Sequence, residues 1–309
     1  SKQVSALFDG KAELVNNYDW FKGYEFLDFL RDVGKYINVN YMLDKDIIRR
    51  RLETGITYAE FSYTLIQGYD FLRLFEDKNC VLQAEGSDQW GNITTGIDLI
   101  RKKTGKEAYG FTMPLVLDKT GKKFGKSEGN ALWLDKNKTS SYELYQYLVN
   151  VDDSLVIDYL KIFTFLSREE IEEYERKNNE HPEAREAHIA LAREIITDIR
   201  GKDEYLKAKK ISDCLFKGDI TLLDEDELED AFKGAPSFDI NVGDKVIDML
   251  INAKICSSKR EAREFISAGS ISINGEKVSD EGDVITSDKL LYNKYLIVRK
   301  GKKKYYIGK

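Results

Sequence analysis

The sequence predicts an α/β protein in three successive parts: a parallel-sheet region, a helical domain and a small α+β domain. The first is indicated by a short strand at 81–83, the turn residue Gly86 and a helix at 92–103, which together form a βα unit. The second is indicated by helical periodicity from 136 to 215, with almost no strand signal. The third is indicated by an Asn-Gly hairpin turn near the C-terminus.

A well-defined helix precedes the βα unit. Thr57, followed three residues later by Glu60, forms a capping-box pattern, and apolar residues continue the helix to about Leu74. The strand at 81–83 is apolar, so we expect it to be buried. A second apolar strand is predicted at 111–117.

Helical periods recur in the second part, and an acidic segment with Gly and Pro follows it. The predicted helices span 142–149, 155–163, 169–178, 183–199 and 205–216. The predicted domain boundaries are 1–135 for the first domain, 136–215 for the helical domain, 216–242 for a linker with some helix, and 243–309 for the terminal domain.

The terminal domain has clear start and stop signals. Ser258 with Glu261 is a second capping-box pattern, and Gly269 is placed to end the helix that it opens. Asn274-Gly275 is the strongest short hairpin signal in the chain. Strands are predicted at 270–273, 283–286 and 295–299.

Composition describes an ordinary globular protein, with 42% hydrophobic and 33% charged residues. No run of about 18 apolar residues occurs, which excludes a helical membrane span. Three scattered cysteines suit a reducing cytoplasm and offer neither a disulfide framework nor a metal site.

Charge is unevenly distributed along the chain. Residues 243–309 carry 14 Lys and Arg against 9 Asp and Glu, a net charge of +5, whereas the rest carries 34 against 45, a net charge of −11. This asymmetry indicates a basic attachment that meets a polyanion; a merely solvated basic tail is the alternative.

The helix that starts at Thr57 carries a polar stripe. Tyr63, Gln67 and Asp70 stand at positions i, i+4 and i+7 and therefore share one face. A phenol, an amide and a carboxylate in a row suit the binding of a zwitterionic amino acid that also has a hydroxyl group. Asp70 would accept a hydrogen bond from that hydroxyl. The alternative is a solvated polar stripe.

The run Gly-Ser-Asp-Gln-Trp-Gly-Asn follows the first strand of the βα unit. Ligands gather at the carboxyl ends of parallel strands, and Gly86 would allow backbone to approach a ligand closely. Asp88 suits a pair of ribose hydroxyls, and Gln89 offers one donor and one acceptor to the same pocket.

Two further basic segments are candidate polyanion sites. Lys123 and Lys126, with Ser127, lie in a Gly-containing loop that could close over a triphosphate, although a basic surface loop is the plainer alternative. In the tail, Lys259, Arg260 and Arg263 crowd the first turns of one helix. That face suits RNA, unless it is an ordinary solvated helix.

These motifs, in this order and spacing, resemble tyrosyl-tRNA synthetases of the bacterial type, and the loop resembles the second signature of class I synthetases. The resemblance implies the C-terminal part of a Rossmann-like parallel-sheet catalytic domain, an anticodon-side helical domain and an RNA-binding domain of ribosomal-protein type. It implies a tyrosine pocket lined by Tyr63, Gln67, Asp70 and Gln89, and ATP contacts from Gly86, Asp88, Lys123, Lys126 and Ser127. RNA contacts would come from Lys259, Arg260 and Arg263.

The resemblance also implies an activity and its partners. Such an enzyme makes tyrosyl-adenylate from tyrosine and ATP, with Mg²⁺, and transfers tyrosine to the 3′ end of tRNA(Tyr). A cytoplasmic homodimer is expected, with residues 17–20 and the Tyr58 region near the acceptor stem and the dimer interface. A non-catalytic RNA-binding relative and a tryptophanyl-type synthetase are the alternatives; the hydroxyl acceptor Asp70 and the basic tail favour the tyrosyl type.

One departure from the family concerns its first signature, His-Xaa-Gly-His. The histidines here, His181 and His188, lie in charged helix away from glycine, and we interpret both as surface residues. We therefore expect that Ser1 is not the natural N-terminus, that the first half of the nucleotide-binding fold precedes it, and that these 309 residues alone do not make tyrosyl-adenylate.

Overall fold

A computed structural model describes residues 2–121, 132–301 and 304–309, apart from the side chains of residues 46 and 47. The chain forms two compact units that divide at residues 130 and 131. In the first unit the helices are α1 (Lys2–Leu7), α2 (Tyr18–Phe21), α3 (Phe26–Asp32), α4 (Val39–Leu43), α5 (Asp46–Leu52), α6 (Tyr58–Lys78) and α7 (Trp90–Thr104). The strands are β1 (Leu82–Gly86) and β2 (Tyr109–Met113).

Helix α6 begins at the predicted capping box. The Thr57 hydroxyl accepts a hydrogen bond from the Glu60 amide at 3.2 Å, and the Glu60 carboxylate accepts from the Thr57 amide at 3.0 Å. Helix α6 packs against α7, and the apolar core of the unit is centred on their shared face. Its most deeply buried members include Phe71, Leu72, Leu99 and Ile100.

Strands β1 and β2 are parallel, which confirms the predicted βα unit. The expected burial of residues 81–83 is wrong, because Val81 and Leu82 are 49% and 48% exposed. Successive side chains of a strand point to opposite faces. Gln67 of α6 bonds Glu85 on the covered face of the sheet, whereas Leu82 and Phe111 alternate onto the open one.

In the second unit a helical part precedes a small mixed sheet. The helices are α8 (Ser141–Val149), α9 (Val156–Phe163), α10 (Arg168–Glu180), α11 (Glu186–Arg200), α12 (Lys202–Lys217), α13 (Glu225–Ala231), α14 (Val246–Asn252) and α15 (Lys259–Ser267). The strands are β3 (Ser237–Phe238), β4 (Ile271–Ile273), β5 (Glu276–Lys277), β6 (Leu296–Lys300) and β7 (Lys304–Gly308), in the order β3-β7-β6-β4-β5. Helices α8 to α12 lie where the sequence predicts helices.

The predicted linker, residues 216–242, contributes to the core of the second unit. Ile220, Leu223, Leu228 and Phe232 are at most 5% exposed and pack with Tyr295 of the terminal domain. This segment is therefore held on both sides by apolar contacts, and the domain boundaries within the unit stay predictions.

The Asn-Gly hairpin forms as predicted. Asn274 and Gly275 have φ values of 49° and 94°, both positive, as a tight type I′ turn requires. The Gly275 backbone also lies against Gly218, where an added Cβ would stand 2.0 Å from the carbonyl oxygen. The strand predicted at 283–286 is wrong: Val284 makes an isolated bridge to Lys245 there.

Helix α15 is capped by Ser258, whose hydroxyl accepts from the Glu261 amide at 3.2 Å, and Gly269 follows the end of the helix with a φ of 61°. The second capping box is only half formed. The Glu261 carboxylate accepts from the Ser257 amide at 2.7 Å and from Lys300 at 2.9 Å instead. Lys300 and Ser257 lower the pKa of Glu261 to about 2.

The interpretation of both histidines as surface residues is wrong for one of them. His181 has a side chain that is 71% exposed, but His188 in α11 is completely buried. The His188 Nε2 atom lies 3.0 Å from the Val151 carbonyl oxygen. The helical spacing of α11 places His188 on the buried face of the helix with Ala187 and Leu191.

Candidate functional site

The polar stripe on α6 lies on one side of that helix, but its three members differ in exposure. Tyr63 is 56% exposed, Gln67 is buried and Asp70 is half-buried. Each has a different set of neighbours, so the structure divides the predicted tyrosine pocket into three parts.

Asp70 is held by two donors from the N-terminal segment. Trp20 donates from Nε1 to Oδ1 at 2.8 Å, and Asn17 donates from Nδ2 to Oδ2 at 3.2 Å. Burial raises the pKa of Asp70, while these two hydrogen bonds act in the opposite direction. From the sequence, residues 17–20 were expected near the acceptor stem and dimer interface, and their contact with Asp70 was not predicted. The available signal was that Asn17 and Trp20, both side-chain hydrogen-bond donors, lie three positions apart.

Gln67 and Gln89 meet at a third amide, Asn92. The Asn92 Nδ2 atom donates to Gln67 Oε1 at 3.0 Å and to Gln89 Oε1 at 2.9 Å. The Gln67 Nε2 atom donates to Glu85 Oε1 at 2.9 Å. The structure thus brings together two of the predicted tyrosine-binding residues, and it adds Asn92 and Glu85, which sequence reasoning did not single out.

Tyr63 lines a cavity of about 530 Å³, and Thr64 and Asn92 line it as well. An ion pair between Arg51 and Glu60, 2.9 Å from nitrogen to oxygen, lies at this cavity. Tyr63 and the Asn92 cluster therefore share one open volume on α6.

Gly86 lies at the carboxyl end of β1, as predicted. An added Cβ there would stand 2.9 Å from Asp88 Oδ1 and 3.0 Å from Leu115, so only glycine fits without a shift. Asp88 lines a cavity of about 720 Å³ with a partly cationic wall. The basic residues of that wall are Lys45, Arg50 and Arg51.

Lys45 connects this cavity to the start of α7. Its ammonium group donates to Thr95 Oγ1 at 2.6 Å and to the Gly91 carbonyl oxygen. Burial lowers the pKa of Lys45 to about 8. The cavity thus combines carboxylates, hydroxyl groups and cations, a set that suits ribose and phosphate groups.

The loop residues Lys123, Lys126 and Ser127 lie outside the described residues. Within the described ranges, no group of three or more His, Cys, Asp or Glu side chains is arranged to hold a metal ion. The same ranges contain no helix with the length and apolar character needed to cross a bilayer.

The basic face of α15 consists of Lys259, Arg260 and Arg263, and each of these cations has a carboxylate partner. The pairs are Lys259 with Asp248 at 2.7 Å, Arg260 with Glu264 at 3.1 Å and Arg263 with Glu281 at 2.5 Å. All three cationic side chains are at least 59% exposed, so water and salt weaken these pairs.

Two family models match this chain. Residues 1–217 match the class I tRNA synthetases (W and Y), and residues 227–307 match the C-terminal domain of tyrosine–tRNA ligases. The tyrosine–tRNA ligase of Bacillus pumilus is 48% identical over 303 residues, which are 97% of this chain and 72% of that protein. The tyrosine–tRNA ligase of Geobacillus kaustophilus is 50% identical over 298 residues, 96% of this chain and 71% of that protein.

Two solved structures share the fold. A C-terminally truncated mitochondrial tyrosyl-tRNA synthetase of Aspergillus nidulans superposes with a TM-score of 0.57 and 34% identity, over 70% of this chain and 66% of that one. The corresponding protein of Coccidioides posadasii gives a TM-score of 0.52 and 36% identity, over 63% of this chain and 56% of that one.

Proposed function

The chain belongs to the class I tRNA synthetases of the W and Y group, and we propose that it acts as a tyrosine–tRNA ligase. The observation that carries the proposal is that Asn92 joins Gln67 on α6 to Gln89 after β1, while Asp70, further along α6, is held by Trp20 and Asn17. Identity of about one residue in two with tyrosine–tRNA ligases over nearly the whole chain supports the same assignment.

The first step joins tyrosine to the α-phosphate of ATP. A carboxylate oxygen of tyrosine forms the new bond to phosphorus, and the bond from that phosphorus to pyrophosphate breaks. The substrate supplies the nucleophile, so the protein acts by positioning and by stabilising charge. Asp70 would accept a hydrogen bond from the hydroxyl of the substrate tyrosine. The amides of Gln67 and Gln89 would contact the ammonium and carboxylate end of the same tyrosine.

The nucleotide would lie at the end of β1. Gly86 supports this because a side chain there would collide with Asp88 and Leu115, so glycine lets Asp88 lie close to the end of β1, where its carboxylate is offered to the ribose. Lys123, Lys126 and Ser127 keep their proposed role at the phosphates. We propose that Mg²⁺ enters with the triphosphate, since magnesium is commonly held by phosphates with one or two carboxylates rather than by a protein cage.

The aminoacyl group would then pass to tRNA(Tyr), whose backbone would meet the basic face of α15. A cytoplasmic location agrees with three free cysteines. A homodimer is proposed from the resemblance, and Tyr58, which is 66% exposed, agrees with a place near its interface. Light scattering of the purified protein measures that assembly directly.

Tyrosine-dependent exchange of pyrophosphate into ATP, measured in the full-length protein, tests the function. Exchange is expected with tyrosine and not with tryptophan. Exchange with tryptophan would favour the other branch of the family. Binding of tRNA without any exchange would favour a non-catalytic RNA-binding relative.

A further inference from the structure

A buried amide cluster lies behind the proposed tyrosine pocket. Asn92 in the first turn of α7 is 6% exposed, and its Nδ2 atom donates to both Gln67 and Gln89. Its Oδ1 atom accepts from the Thr64 hydroxyl at 2.9 Å, and Thr64 is 2% exposed. The donors and acceptors of one side chain thus join α6, α7 and the turn after β1.

The bonding pattern fixes which way each amide faces. An asparagine nitrogen carries two hydrogens, and Asn92 uses one for each glutamine oxygen. Gln67 is held at both ends, because its nitrogen donates to Glu85 Oε1 at 2.9 Å. Turning the Gln67 amide over would therefore break two hydrogen bonds, one buried and one partly buried, and buried polar atoms without partners are costly.

We propose that Asn92 is a positioning residue of the tyrosine site, which sets the orientation of both the Gln67 and the Gln89 amides. This inference rests on the proposed function, since it assumes that these two amides meet the substrate. Asn92 itself acts through them. This role explains why an asparagine, rather than an apolar residue, lies at a buried position of α7. Its amide nitrogen supplies one hydrogen to each glutamine.

The Asn92→Asp substitution provides the sharpest test. Aspartate keeps the shape of the side chain and an acceptor for Thr64, but it offers no amide hydrogens to the glutamines. Each glutamine must then turn its nitrogen toward residue 92, which reverses the donor and acceptor that it presents elsewhere. We expect the tyrosine Kd, measured by calorimetry in the full-length protein, to rise about 10-fold or more.

Kinetics distinguish positioning from a general loss of structure. In pyrophosphate exchange, the KM for tyrosine should rise, whereas kcat at saturating tyrosine and the KM for ATP should stay within about twofold. Thr64→Val removes only the restraint on Asn92, so it should raise the tyrosine Kd by a smaller factor. Combining Asn92→Asp with Gln67→Ala should give less than the product of the two single effects, because both act on the same amide.

Thr95→Val is the matched control. Thr95 is 1% exposed on the same helix, and its hydroxyl donates to the Gly91 carbonyl oxygen at 2.9 Å and accepts from Lys45 at 2.6 Å, both outside the amide cluster. This variant should lose thermal stability while its tyrosine Kd is unchanged. A tyrosine Kd within about twofold of wild type for Asn92→Asp, or an equal rise for Thr95→Val, would overturn the proposal. If Gln67→Ala left tyrosine binding intact, the assignment of the tyrosine pocket would fail instead.

Discussion

The amide cluster around Asn92 and the basic face of α15 hold their polar groups in opposite ways. Asn92 is 6% exposed and bonds the buried side chains of Gln67 and Thr64 and the partly buried Gln89. On α15, cationic side chains that are 59% to 91% exposed each meet one carboxylate at the surface. A broken bond in the cluster leaves a polar atom without a partner, whereas water replaces a broken pair on α15. Fixed geometry suits recognition of a small amino acid, and available charge suits a polyanion.

The largest expected effect lies in the proposed tyrosine site, two of whose amides the Asn92 cluster holds. Asp70→Ala in the full-length protein should reduce tyrosine activation far more than phenylalanine activation, because only tyrosine has the hydroxyl that Asp70 would accept. Loss of a buried hydrogen bond to a charged group corresponds to a change in selectivity of about 10- to 100-fold. Pyrophosphate exchange with each amino acid measures it, and equal losses on both would remove Asp70 from the pocket.

The exposed half should respond to charge and salt rather than to shape. Reversing Lys259, Arg260 and Arg263 to glutamate should weaken tRNA binding by about 10-fold in 0.1 M salt and flatten its salt dependence, because fewer counterions are released. Tyrosine activation should be unaffected, since that step uses no RNA. Filter binding across a salt series gives both quantities; unchanged affinity would make this face ordinary solvated surface.

A stability measurement contrasts the two regions directly. Thr64→Val removes a buried hydrogen bond to Asn92 and should lower the free energy of unfolding by about 1 kcal/mol. Arg263→Ala breaks its surface pair with Glu281 and should leave the melting temperature nearly unchanged. Because the two residues lie in different units, calorimetric transitions should be followed separately. A larger destabilisation from Arg263→Ala would contradict the comparison.

His188 offers a smaller test of the cost of burial. Burial lowers the pKa of His188, so the unfolded chain takes up a proton more readily than the folded one. Its contribution to stability is therefore present above the ordinary histidine pKa of about 6.5 and is lost as pH falls below it. His188→Gln should reduce the fall in melting temperature between pH 7 and pH 5. His181→Gln, at an exposed position, should leave that fall unchanged.

Local signals in the sequence predicted much of this molecule. The Thr57 capping box and the Asn274-Gly275 turn each depend on a few neighbouring residues, and each forms as predicted. Gly86, predicted as a turn residue, instead ends β1 with an extended backbone, at φ −66° and ψ 154°. The half-formed box at Ser258 shows the limit of such signals. Lys300 is 39 positions away from Glu261 and competes for its carboxylate, which no local pattern reveals.

The site was predictable as a set of residues but not as a set of contacts. Several of the bonds that orient it join residues distant in the sequence, such as Asn92 with Gln67, 25 positions apart, and Asn17 with Asp70, 53 positions apart. Periodicity places Gln67 and Asp70 on one face, yet it cannot say which distant side chain saturates each atom. The error at His188 has a different origin, because its apolar neighbours Ala187, Ile189 and Leu191 already favour an inward-facing position.

The contact between Gly275 and Gly218 constrains how this protein can vary. Gly275 admits no side chain because the Gly218 carbonyl oxygen occupies that space, and Gly218 has a φ of 91°, which other residues rarely adopt. Steric exclusion at one position and backbone conformation at the other thus demand the same amino acid. In a saturation screen the two codons would tolerate almost no replacement, and no second-site change in a neighbouring side chain could relieve either one. The contact between the helical part and the terminal sheet is therefore expected to keep glycine at both positions.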